Sequence, residues 1–253
     1  MNPLKKIIFE YCIPFVGRIF RRKNQYVNVI YYHDVVKEEG SSFMKINFNF
    51  FKQQMEYIAS KEYSTYRFDD LTSDLILEYN PKKVIITFDD GWLSNYTEIY
   101  DLMSHLGLKY NVFLTIGKIG NDPNYLSWEQ IRKMHESGLV GFGIHTYSHP
   151  DMSNISKINP ELEFEKANKI FEQELNYKPN DFCYPFGFYS EESNEYISTN
   201  LDYKRIYTSK LMYSYFQNDK IIFGRNGISN DEPFNVFKAK LKGYFNIWRK
   251  LFG

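Results

Sequence analysis

Residues 83–91, KVIITFDDG, begin as a strand and end in two carboxylates and a glycine. The run of β-branched residues after the break at Pro81 makes 83–88 the strongest strand signal in the chain. Further strand-like runs lie on either side: 26–32 (YVNVIYY), 110–116 (YNVFLTI), 139–145 (LVGFGIH) and the shorter 181–184 and 205–208. The two glycines of LVGFGIH mark a close backbone approach. Helical patterns alternate with the strands, over 50–60, 97–106 (stopped by Gly107), 159–175 (Pro160 in its first turn) and 191–199. Another helix is predicted over 128–137, with Ser127 and Gln130 as a capping box and Gly138 as its stop. Such alternation implies a parallel sheet, and six to seven units favour an α/β fold closed as a distorted (β/α) barrel. In that fold, catalytic groups collect at the carboxyl ends of the strands.

The chemistry-bearing residues fall there. Asp89 and Asp90 end the 83–88 strand, and His145 and His149 follow the 139–145 strand. Adjacent carboxylates repel unless a positive group sits beside them. Two histidines four apart after a strand can meet one ion from a single turn of backbone. Either piece alone has an ordinary explanation, a turn or a surface pair; the joint placement carries the reading. One Asp with two His suits Zn²⁺ and also the facial triad of non-haem iron oxygenases. The extra Asp89 favours hydrolysis, which needs a carboxylate able to take a proton from water.

Thr87-Phe88-Asp89-Asp90-Gly91 followed by His145-x-x-x-His149 resembles the first two motifs of the polysaccharide deacetylase (NodB homology) family. The resemblance covers roughly residues 26–230. It implies a distorted (β/α) barrel and hydrolysis of acetyl groups, N-acetyl first, from a cell-surface or biofilm polysaccharide. It implies Asp89 as general base, and Asp90, His145 and His149 as ligands of a divalent metal, with Zn²⁺ the leading choice. The third motif is Cys183-Tyr184-Pro185-Phe186-Gly187, with Cys183 where the family has Arg. The Tyr184 N–H is expected to stabilise the oxyanion, and Arg225 is the candidate to replace the missing arginine. No histidine follows His149, so the late Leu-x-His motif that usually supplies the acid is absent. The chain is most similar to the poly-N-acetylglucosamine deacetylase branch, whose motifs are permuted and whose acid comes from an N-terminal Tyr-His string. His33, after Tyr32, is the corresponding acid. Pro185, Phe186, Gly187, Trp92 and Tyr147 are expected to contact the glycan, and Tyr189 is a further rim aromatic. His105 and His135 are expected to be surface or packing residues.

Composition bounds the alternatives. The 253 residues carry 31 basic and 31 acidic side chains, which excludes the basic excess of a nucleic-acid binder. Cys12 and Cys183 are too few for a disulfide framework or a structural zinc site. Abundant aromatics, 22 Tyr, 22 Phe and 3 Trp, fit a large core at least as well as a sugar-gripping surface. The expected organisation is a basic apolar segment 1–25, one catalytic domain 26–236 and a basic amphipathic segment 237–253. Residues 4–20 are interrupted by Glu10, Pro14, Gly17 and Arg18, which fits neither a spanning helix nor a cleavable signal. The expected location is therefore cytoplasmic or peripheral at a membrane surface, where both terminal segments either lie or pack on the domain. Two rival readings remain: a silent glycan-binding barrel, and an amidase or O-deacetylase acting on a small molecule.

Overall fold

The computed structural model describes residues 8–19, 27–37, 44–78 and 80–247. Twelve strands occur among them: β1 (Asn28–Tyr32), β2 (Asp34–Val36), β3 (Lys45–Asn47), β4 (Ser64–Thr65), β5 (Lys83–Phe88), β6 (Tyr110–Leu114), β7 (Val140–Ile144), β8 (Asp181–Cys183), β9 (Arg205–Thr208), β10 (Tyr215–Gln217), β11 (Lys220–Gly224) and β12 (Asn226–Gly227). The main sheet runs β10-β11-β9-β8-β7-β6-β5-β1-β12, with β4 beside β5, and every pair but β10–β11 is parallel. β11 and β12 are one stretch of chain interrupted at Arg225. Its first half pairs with β9 and its second with β1, so the chain itself carries the sheet from one edge round to the other.

Side-chain alternation explains the interior. Val29, Ile85, Phe113, Cys183, Tyr207 and Phe223, one from each of six strands, form an inner layer floored by Phe68, Leu71 and Ile76. The neighbouring positions Ile30, Tyr32, Val84, Ile86, Phe88 and Val112 face outward into a second, larger cluster beneath the helices. β7 contributes glycine at its inward positions. A Cβ on Gly143 would meet the Phe113 ring at 2.8 Å, and one on Gly141 would meet the Asn111 side-chain oxygen at 2.4 Å. The close approach expected from LVGFGIH is thus the room needed by Phe113 and Phe68 inside the barrel.

The predicted helices are present at Phe48–Ser60, Trp128–Glu136 and Glu191–Asn200, and Ser127 and Gln130 form the expected capping box. The 97–106 helix begins earlier, with a wider-turned segment Asn95–Tyr100 before Asp101–Leu106, and Gly107 ends it at φ 64°. The 159–175 helix likewise divides into Glu161–Lys166 and Ala167–Leu175. The helix Phe234–Leu241 starts three residues before the amphipathic segment predicted from 237, and β11 lies outside the predicted strands although Ile221, Ile222 and Phe223 carry a strand signal. Of the two terminal segments, residues 1–7, 20–25 and 248–253 lie outside the described residues, as does residue 26 of the predicted 26–32 strand.

Candidate active site

The inward alternation continues upward past the apolar layer. Above Val29 comes Tyr31, above Ile85 come Thr87 and Asp89, and above Gly143 comes His145, so polar groups cap an apolar stack at the carboxyl rim. A cleft of about 420 Å³ opens there, lined by His33, Asp89, His145, His149, Phe186 and Gly187, with Tyr31, Met44, Phe188 and Ser209 completing its walls.

The Asp89-Asp90-Gly91 turn separates the two carboxylates. Asp90 takes φ 75° and Gly91 φ 84°, and the Gly91 N–H donates back to the Asp89 carbonyl at 3.0 Å. A non-glycine residue at positive φ is strained, and such strain concentrates at functional sites. Asp89 turns toward Arg225, whose Nη1 and Nη2 donate to its two carboxylate oxygens at 2.7 and 2.8 Å. Arg225 is 1% exposed; it also donates to the Thr87 hydroxyl, and its Nη2 lies 2.9 Å from the Cys183 sulfur. The guanidinium thus sits beside the position where the third motif departs from its usual arginine. Burial alone would raise the Asp89 carboxyl, but Arg225 overcomes it and holds the group at about 2.

Asp90 turns the other way. Its Oδ2 accepts from the Trp92 indole N–H at 2.9 Å, and its Oδ1 lies 3.6 Å from His145 Nε2 and 3.3 Å from His149 Nε2. His145 Nδ1 is 2.8 Å from the Cys183 carbonyl, which fixes that nitrogen as donor and leaves Nε2 bare toward Asp90. Burial lowers His145 to about 3 and lowers His149 too, so both imidazoles are neutral as a metal requires. Burial, with Asp89 adding to it, raises Asp90, a cost that a bound cation would reverse. This nitrogen–nitrogen–oxygen set, with Asp90 and His145 buried and His149 half-buried, therefore fits a divalent metal. Asp89, His145 and Cys183 also lie close enough to be a ligand group. They fit poorly, because both Asp89 oxygens are held by Arg225 and burial pushes the Cys183 thiol well up, keeping it protonated.

His149 comes from a strained loop in which Thr146 and His149 both take φ 64°. Sequence reasoning missed what holds this loop. The buried carboxylate of Glu163 accepts from the Tyr147 and Ser148 N–H groups at 3.0 and 2.9 Å and from the Ser148 hydroxyl at 2.6 Å. His33 Nε2 lies 4.0 Å from Asp89 Oδ2, and its ring meets Tyr31 edge-on at 5.6 Å.

Four expectations need correction. The Tyr184 N–H donates to the Tyr207 carbonyl at 3.0 Å as part of the sheet, so it is not available to an oxyanion. Phe186, two residues on at φ 55°, reaches the cleft together with Gly187 and Phe188, its ring edge-on to His149 at 4.5 Å. Trp92 stacks on Tyr125 at 4.6 Å and braces Asp90, so its indole is occupied away from the cleft. Tyr147 is covered by Lys166, whose Nζ lies 4.2 Å from its ring centroid, and it does not line the cleft. Pro185 is buried and does not line the cleft, whereas Gly187 does. Tyr189 stacks on Tyr184 at 4.7 Å. His105 is exposed, and His135 stacks on Tyr177 at 5.1 Å; neither approaches the site.

The family model for polysaccharide deacetylase matches residues 77–206, half of the chain, and this stretch contains Asp89, Asp90, His145 and His149. The chain belongs to the polysaccharide deacetylase family. His33 and Arg225 come from either side of the matched stretch. YxkH of Bacillus subtilis (strain 168), assigned to the polysaccharide deacetylases, is 26% identical over 167 residues, 65% of this chain and 58% of that protein. A peptidoglycan-N-acetylglucosamine deacetylase of Bacillus cereus is 28% identical over 43% of this chain and 38% of its own length. The matches thus span about half the length of these curated relatives. Among solved structures, a polysaccharide deacetylase from Bacillus cereus superposes with a TM-score of 0.72 at 21% identity, covering 86% of this chain and 69% of that one. IcaB from Ammonifex degensii gives 0.69 at 23% identity over 88% and 98%, and the likeness extends to the α/β fold throughout.

Proposed function

We propose that this polysaccharide deacetylase family member is a metal-dependent hydrolase that removes acetyl groups, N-acetyl first, from an acetylated glycan. The observation that carries this reading is the divided carboxylate pair, with Asp89 held ionised by Arg225 and Asp90 facing two neutral imidazoles. A divalent ion on Asp90, His145 and His149, Zn²⁺ by the softness of the donors, would supply Lewis-acid chemistry toward water and an acyl oxygen. Asp89 accepts a proton from the attacking water, since each of its oxygens keeps a lone pair beyond the one facing Arg225. His33, 4.0 Å from Asp89 Oδ2, delivers a proton to the departing amine, so the proton taken from water and the one given to nitrogen balance across this pair. Phe186, which lines the cleft, is the residue whose backbone N–H would serve as oxyanion donor in place of Tyr184. The exposed rings of Phe186 and Phe188 offer apolar faces to a pyranose. The permuted placement of His33 favours an N-acetylglucosamine polymer as substrate. Acetate release from N-acetylglucosamine oligomers should vanish after chelation and return with Zn²⁺. A chain that binds the metal yet releases no acetate from any N- or O-acetylated glycan would overturn the reading.

A further inference from the structure

The helical stretch formed by Ile8–Cys12 and Ile13–Ile19 has one face on the protein and an apolar face in the open. Ile13 packs with Val236, Ala239 and Phe245, and Phe9 meets the Phe245 ring at 5.0 Å. Gly17 lies so close to Tyr244 that an added Cβ would meet its carbonyl oxygen at 1.9 Å. On the other face Tyr11, Phe15 and Ile19, each four residues on from the last, are 62%, 65% and 59% exposed, and Ile8 continues the stripe at 38%. Residues so spaced share one helix face, and an exposed stripe of large apolar groups marks an interaction surface.

Charge identifies what the stripe meets. Although the chain as a whole is balanced, its first 25 residues hold six Lys/Arg and one acidic residue, Glu10, and residues 237–252 hold five Lys/Arg and no acidic residue. Glu10 is buried, while Arg18 shares with Lys238 and Lys242 the groove between this helix and Phe234–Leu241. Lys240 is buried against Glu232, so the cations beside the stripe are Arg18, Lys238 and Lys242, and an apolar stripe flanked by them is complementary to a lipid surface with anionic headgroups. The helix is far too short to span a bilayer, and among the described residues no helix is long and apolar enough to do so. We infer that this face docks in the plane of an anionic membrane, with Tyr11, Phe15 and Ile19 entering the headgroup–acyl boundary and Arg18 at the phosphates.

Co-sedimentation of the full chain with phosphatidylglycerol/phosphatidylcholine vesicles, and with phosphatidylcholine alone, tests this. The wild type should pellet with the anionic vesicles only, and its partition should fall at least about tenfold in a Phe15→Gln/Ile19→Gln variant. Roughly 0.5 M salt should weaken the binding, through screening of the headgroup charge. Because both positions are exposed, the variant's thermal melt and its acetate release from soluble oligomers should match the wild type. Wild-type protein left in the supernatant, or a variant that pellets equally, would overturn the inference. So would a wild-type dimer that the variant converts to monomer without vesicle binding, which would assign the stripe to a second copy of the chain. None of these outcomes depends on whether the cleft is a deacetylase.

Discussion

Asp89 and Arg225 show how one ion pair sets the chemistry of a residue. The guanidinium is buried, so removing its partner, or removing Arg225 itself, leaves an uncompensated charge in the barrel at a cost of about 3–5 kcal/mol. Asp89→Asn is the gentler change, because the amide oxygen still accepts from Arg225. It should lower kcat by about 10²–10⁴ with metal still bound, measured as acetate release alongside metal content. His145→Ala should lose both metal and activity. The same pair makes stability pH-dependent. The carboxyl is held at about 2 in the folded protein, below the ~3.9 of an unfolded Asp. Its stabilising contribution is therefore full above about pH 4 and is lost as pH falls toward 2. Acid unfolding of metal-free protein, followed by circular dichroism, should be shallower between those values in Asp89→Asn than in wild type. Equal slopes would show that the pair does not control that limb.

At the scale of elements, two loops shape the site, one held by a group outside the motifs and the other by the glycine that closes the third motif. The 146–149 loop keeps Thr146 and His149 at positive φ because three donors converge on Glu163, at the start of the following helix. Loss of such outer support commonly lowers metal affinity by about 10–100-fold. Glu163→Gln, which turns an NH₂ toward backbone N–H donors, should weaken Zn²⁺ binding in a chelator competition by roughly that factor. Unchanged affinity would mean that the loop holds its shape alone. The 184–188 loop depends on Gly187, at φ 68° and so close to Ser209 that a Cβ would meet its Oγ at 1.6 Å. Gly187→Ala should shift Phe186 and raise KM more than it lowers kcat.

At the scale of the whole molecule, the floor of the barrel is held by charges remote from the chemistry. Arg205 forms a two-pronged pair with Asp181 at 2.6 and 2.7 Å, and its Nη1 reaches the Leu71 carbonyl, tying the two strands to the plug beneath them. Asp181→Ala should destabilise the fold by about 3–5 kcal/mol while leaving metal affinity per folded molecule unchanged. A parallel fall in metal affinity would show that floor and rim are coupled.

How far these features were legible in the sequence follows from whether each depends on local or distant chain. KVIITFDDG and LVGFGIH each contain, within nine residues, a strand and the groups that end it, so strand, rim placement and ligand pair were all legible. Capping by Ser127 and Gln130 and termination at Gly107 are equally local. The error at Tyr184 arose because its N–H pairs with Tyr207, 23 residues away, and no motif records that bond. Trp92 and Tyr147 looked like sugar platforms by residue type alone; their neighbours Asp90 and Lys166 decided otherwise. The sequence by itself determined the alternating α/β plan, the family and the residues of the candidate metal set, because these rest on local periodicity and short spacings. Only the tertiary structure decided that Arg225 meets Asp89 across 136 positions, that Glu163 holds the His149 loop and that one interrupted strand joins both edges of the sheet. Those contacts arise only once closing the sheet brings distant chain together, and the low-dielectric interior then leaves a buried charge no option but to find its partner.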